Sequence, residues 1–114
     1  MPTGRPTRFY SARQEKSVAK SLGGKQVSNS GATNFNKGDV LTTNVLIECK
    51  TCTKEQKSFT IKKDWIIKNR EEAFAMGKHY SAIAIDFGNP NEQFYVVDEK
   101  IFKEWLTSLI SKDD

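Results

Sequence analysis

The chain reads as a single α/β domain, a central mixed β-sheet flanked by helices on both faces. Three observations predict this. Apolar residues recur at helical spacing in three separate stretches. Two β-type runs flank a short polar turn at Thr43-Asn44. An almost continuous apolar run over residues 81–87 has the length and composition of a strand buried on both sides. In chain order the pattern is helix, hairpin, helix, strand, strand, helix, an alternation that sets helices against a partly parallel sheet. With 114 residues there is enough chain for one modest core and none for separate catalytic and recognition domains.

Residues 1–11 contain Pro2, Gly4 and Pro6 together with Arg5 and Arg8 and little apolar content, which predicts a flexible basic arm, with the folded domain over residues 12–114. Across residues 12–22, Ala12, Glu15, Val18, Ala19 and Leu22 recur at helical spacing, and Gly23-Gly24 ends the pattern. Glu15 lies on or beside the packed stripe, either as a surface residue at its edge or as a carboxylate aimed at the hairpin. Residues 27–37 are rich in Ser, Asn and Gly, which suits a loop that lays backbone N–H groups and hydroxyls against a phosphate, or a plain connector. The hairpin follows, then a polar, basic stretch carrying Lys54 and Lys57. Thr60 reads as the cap of a helix beginning near Lys62, with Trp65, Ile66, Ala73 and Met76 as its apolar positions and Gly77 at its end. Trp65 reads as a core residue, with a base-stacking platform as the alternative. After the strand at 81–87 and the turn Gly88-Asn89-Pro90-Asn91 comes a strand at 93–97. Asp98 reads as the N-cap of a last helix running to about Ser111, with Ile101, Phe102, Trp105 and Leu109 facing the core or a partner and Leu106 at the margin of that stripe.

The hairpin carries the chemistry. A turn made of Thr43-Asn44 puts Leu41 opposite Leu46, Val40 opposite Ile47 and Asp39 opposite Glu48. Opposed residues share a face with Cβ atoms about 4.5–5.5 Å apart, so two like charges stand side by side, an arrangement that a divalent cation relieves. Lys50, two residues past Glu48, falls on that same face, and Cys49 points to the other. Asp, Glu and Lys converging on one patch suit metal-assisted phosphodiester hydrolysis: oxygen ligands for Mg²⁺ and a cation that orients or activates water. The alternative is an ordinary hairpin with its charges in solvent. Leu41 and Leu46 share the charged face and speak against that alternative.

The formal net charge is +4, and the excess is uneven. Arg5, Arg8, Arg13, Lys16, Lys20, Lys25 and Lys37 precede Asp39, with Glu15 as the acidic exception. A positive leading third suits a phosphate backbone, or is a solvated tail. No apolar run approaches the ~20 residues of a membrane span and the N-terminus has no apolar signal core, so a soluble, cytoplasmic protein with no membrane partner is expected. Cys49 and Cys52 form a lone C-x2-C with His79 as the single histidine, too few ligands for a closed zinc site; reduced structural thiols are expected.

Gly38-Asp39-Val40 followed by Glu48-Cys49-Lys50 resembles the PD-(D/E)XK nuclease superfamily, and specifically its archaeal-type Holliday junction resolvases, including those of bacteriophages. The similarity runs from about Ala12 to Phe87. It takes in the helix bearing Glu15, the loop Ser28-Asn29-Ser30-Gly31, the segment from Lys57 to Trp65, and Glu72-Ala73-Phe74-Ala75-Met76-Gly77-Lys78; Gly38 stands where the motif usually has Pro. The resemblance implies a restriction-endonuclease-like fold and a Mg²⁺-dependent endonuclease, with Mn²⁺ substituting, that resolves four-way or other branched DNA by paired nicks as a homodimer in a bacterial or phage-infected cell. It implies Asp39, Glu48, the backbone carbonyl of Cys49 and Glu15 as metal ligands. Lys50 would act on the attacking water, and Ser30, with Ser28 as the fallback, would contribute from the loop. Arg5, Arg8, Arg13, Ser28, Ser30, Lys54 and Lys57 would contact DNA. Two other functions fit the same residues: a nuclease of this fold acting on duplex, mismatched or sequence-defined DNA, and a DNA-binding module that has lost catalysis.

Overall fold

The hairpin around Thr43-Asn44 forms in the register expected from its two-residue turn: Asp39 pairs with Glu48, Val40 with Ile47 and Leu41 with Leu46. The computed structural model of the chain describes residues 7–27 and 39–113. In order, the elements are α1 (Thr7–Leu22), β1 (Lys25–Gln26), β2 (Asp39–Leu41), β3 (Val45–Lys50), α2 (Lys63–Ala75), β4 (Tyr80–Ile85), β5 (Phe94–Val96) and α3 (Glu99–Asp113). The strands form one five-stranded sheet in sequence order, β1-β2-β3-β4-β5. Only β3 and β4 run parallel, joined by the α2 crossover, and the other neighbours are antiparallel. The α/β class and the mixed sheet with helices on both faces are as expected.

Three boundaries differ from expectation. The first helix starts at Thr7, so residues 7–11, read as part of the basic arm, are helical. Polar and aromatic contacts hold this turn in place of an apolar stripe. Arg8 reaches Glu15 at 2.7 Å, and the Arg13 guanidinium lies over the rings of Phe9 and Tyr10, 5.7 and 5.4 Å from their centroids. Strand β1 had no signature in the pattern, being two polar residues long. It reaches β2 because Gly24 permits close approach: a Cβ there would meet the Leu41 carbonyl at 2.8 Å and Val40 Cγ1 at 2.9 Å. The cap of α2 is Lys62 and not Thr60, and no side chain caps it. Its other end stops as expected at Gly77, whose φ of +76° lets Lys78 N–H reach Ala73 O at 2.8 Å and Gly77 N–H reach Phe74 O at 3.0 Å.

Alternation along the strands divides the core in two. On one face Val40, Ile47, Ala82 and Ala84 close around Val18 of α1, with Cys49 and Val45 at the margin. On the other, Leu46, Ile83 and Ile85 lie beneath α2, whose Asn69 and Ala73 are buried. Asn69 Nδ2 donates to Ala82 O at 3.0 Å and to Leu46 O at 3.4 Å, pinning α2 to the parallel strand pair. Asp98 caps α3 as expected, accepting Ile101 N–H at 3.0 Å, and its other oxygen takes Arg70 at 2.9 Å. No helix among the described residues is long and apolar enough to cross a membrane.

Candidate active site

Asp39 and Glu48 stand side by side on the α2 face of the sheet, 0 % and 5 % exposed. Their position follows from period-2 alternation combined with the tight turn, and their burial from α2 lying across that face. Among the described residues neither Asp39 Oδ1 nor Oδ2 has a hydrogen-bond partner. Another buried acid, Asp86, just past the end of β4, is the contrast: its carboxylate accepts from Thr51 Oγ1 at 2.6 Å, Gly88 N–H at 2.9 Å and Gln93 Nε2 at 3.3 Å. Asp86 is thereby a structural tie between loops, and Asp39 is a carboxylate with no proton donor among the described residues.

The electrostatics agree. Burial first, then the like charges of Glu48, Glu72 and Glu15, push the Asp39 carboxyl up to about 8, against the opposing charge of Lys50. Lys50 sits where the strand period puts it, its Nζ 2.9 Å from Glu48 Oε2. The same ammonium lies 4.4 Å from the centroid of Trp65 on α2. Trp65 is therefore a half-buried wall for Lys50 and not the core residue that its spacing predicted. Phe59 packs edge-on against its ring, with centroids 6.3 Å apart.

Alternation sends Cys49 to the α1 face, where burial, and after it the charge of Glu15, pushes the thiol well above its ordinary value. Cys49 and Cys52 are both unpaired, and a neutral, half-buried thiol at Cys49 agrees with a structural role.

Glu15 is 1 % exposed on α1, across the sheet from the α2 face that bears Asp39 and Glu48. It is close enough to contribute to the Asp39 shift, but its carboxylate is held by Arg8, with Nη1 at 2.7 Å and Nη2 at 3.4 Å. The structure thus brings Asp39, Glu48 and Lys50 together and places Glu15 behind them, engaged by a residue read from sequence as a DNA contact. Arg13 is exposed, as are Lys54 and Lys57 on the segment after β3. Arg5, Ser28 and Ser30 lie outside the described residues.

Glu72 of α2 is a member of the acidic face that the sequence reading did not single out. Burial and the neighbouring Glu48 raise its carboxyl, and its Oε1 is buried without a partner among the described residues. A polar residue on an imperfect apolar stripe reads as surface until the sheet beneath it is known.

Among the described residues no group of three or more His, Cys, Asp or Glu side chains is set to hold a metal ion. Two adjacent carboxylates, one of them buried and unpartnered, do fit a hard cation of the Mg²⁺ type, which takes one or two carboxylates and fills the rest of its shell with other oxygens and water. The Cys49 carbonyl lies between Glu48 and Lys50 in the strand and is the nearest backbone oxygen of that kind by sequence. The chain matches no protein-family model. It likewise matches no curated protein and no solved structure.

Proposed function

We propose that this chain is a Mg²⁺-dependent endonuclease with a restriction-endonuclease-like fold that nicks branched DNA, with a four-way junction as its preferred substrate. The observation that carries the reading is the Asp39 carboxylate, fully buried, directly opposite Glu48 and without a hydrogen-bond donor among the described residues. A folded protein leaves such a group bare at a cost of about 1–3 kcal/mol or more for a charged group, which a bound cation would remove. The resemblance of Gly38-Asp39-Val40 and Glu48-Cys49-Lys50 to resolvase motifs supports the same reading, as does the hairpin followed by an α2 crossover into a parallel strand.

Asp39 and Glu48, with the Cys49 carbonyl, would hold the ion; when bound it would supply charge stabilisation at the scissile phosphate. Lys50 orients the attacking water at its ammonium, which the Trp65 ring and Glu48 fix in place. Glu15, held by Arg8, adds negative potential behind the pair. Exposed Arg13, Lys54 and Lys57 are available to phosphates. Paired incisions on a two-fold junction call for a homodimer.

A nicking assay on a synthetic four-way junction with and without Mg²⁺, run against a linear duplex of the same arms in excess, tests the proposal. Metal-dependent nicks confined to the junction are expected. Equal cutting of the duplex would favour a general nuclease of the same fold, and binding without cutting would favour a non-catalytic DNA-binding module.

A further inference from the structure

The outward half of α3 is apolar and uncovered among the described residues. Ile101 is buried, but Phe102, Leu106, Leu109 and Ile110 are between 45 % and 61 % exposed. At 3.6 residues per turn these four fall within a sector of about 100°. Beside them runs an apolar groove of about 380 Å³, lined by Leu22, Val45, Ile47, Ala82, Tyr95 and Val97, with Trp105 of α3 on its rim. The groove is the part of the Val40–Ile47 face that α1 leaves open by ending at Leu22.

We propose that α3 and this groove form a two-fold interface between two copies of the chain, the ridge of each α3 entering the groove of its partner. Three observations name the occupant. The first is area. Leu22, Tyr95, Phe102, Trp105, Leu106, Leu109 and Ile110 are each 38–61 % exposed. At about 100 Å² apiece they present roughly 700 Å², above the ~300–600 Å² of the largest patch on an ordinary monomer and close to the ~800 Å² each partner gives a stable dimer. The second is charge. Glu99, Lys100, Lys103 and Glu104 balance along α3, and Lys103 is already paired with Glu99 at 2.9 Å; a neutral, apolar surface fits protein and not a phosphate backbone. The third is shape. A ridge and a groove on one contiguous surface are what an isologous contact needs, since each copy then supplies both halves. Residues 1–6 and 28–38 contain only Met1 and Phe35 as large apolar side chains, too few to cover the patch. The interface supplies the two-fold that paired nicking calls for, but it is argued from α3 and the groove without that reading.

Sedimentation equilibrium on the full chain, without DNA or metal, tests it. The wild type is expected to be dimeric at about 10 µM, and Leu109→Glu to weaken association at least about a hundredfold. Leu109 is 61 % exposed, so the variant should keep the wild-type circular dichroism and melting temperature; Leu106→Glu provides a second test at a neighbouring position. A wild type that stays monomeric at about 100 µM, or dimers that survive both substitutions, would overturn the proposal. A dimer that never nicks leaves the interface standing and removes the nuclease reading, and a monomer that nicks junctions does the reverse.

Discussion

Asp39 and Glu48 face each other across the β2–β3 pair, both buried, and among the described residues Glu48 alone of the two is paired with a cation, Lys50 at 2.9 Å. Lys50 therefore satisfies one carboxylate, and the other has no partner among the described residues. That asymmetry sets the consequences for activity and stability that follow.

Replacing Asp39 by Asn keeps its size and removes its charge. Asp39→Asn is expected to lower Mg²⁺-dependent nicking of a four-way junction by at least about 10²–10³-fold, while junction affinity in a gel shift stays within a few fold. A variant that nicks at the wild-type rate would remove Asp39 from the chemistry.

Stability should depend on pH in a specific direction. The Asp39 carboxyl is pushed up to about 8 in the folded chain by burial and then by Glu48 and the other acids, from an ordinary value near 3.8. A raised carboxyl holds its proton more tightly folded than unfolded, so its contribution is fully present below about pH 4 and is lost as pH rises towards 8. Denaturant unfolding of the wild type in chelator should therefore lose stability across that window relative to Asp39→Asn. The variant should be the more stable protein at pH 8 by on the order of 1–4 kcal/mol. Added Mg²⁺ should narrow the gap. Parallel pH profiles for the two proteins would contradict the assignment.

Trp65 holds the ammonium of Lys50 at 4.4 Å from its ring centroid. Trp65→Leu keeps bulk and removes the ring, forfeiting about 0.5–1 kcal/mol of cation–π attraction. A drop in kcat of roughly two- to fivefold, with unchanged Mg²⁺ dependence, is expected. Lys50→Met should cost far more under the same assay, and the two substitutions combined should cost no more than Lys50→Met alone.

Asn69 ties α2 to β3 and β4 through the carbonyls of Leu46 and Ala82. Asn69→Ala should destabilise the fold by about 1–3 kcal/mol in urea, with the secondary structure retained. An unchanged unfolding midpoint would show that the two hydrogen bonds add nothing net.

Much of the site was readable in the letters, because the hairpin is local. Two residues of turn and a side-chain period of two are enough to put Asp39 opposite Glu48 and to sort Lys50 from Cys49. The caps behaved in the same way: Asp98 and Gly77 act through neighbours three to five positions away. Strand β1 escaped notice because two polar residues carry no period, and pairing at Gly24 depends on a strand some 15 residues further on.

Long-range packing settled what local rules could not reach. Trp65 became a wall for Lys50, Glu72 joined the acids, and Glu15 was tied to Arg8 behind the sheet, because α1 and α2 chose opposite faces. Spacing along a helix tells which residues travel together and not what they meet. The bareness of Asp39 and the uncovered side of α3 belong to the same category: an unpaired oxygen or an exposed leucine is defined by atoms far away in the chain, and only assembling the core brings those atoms near or leaves them absent.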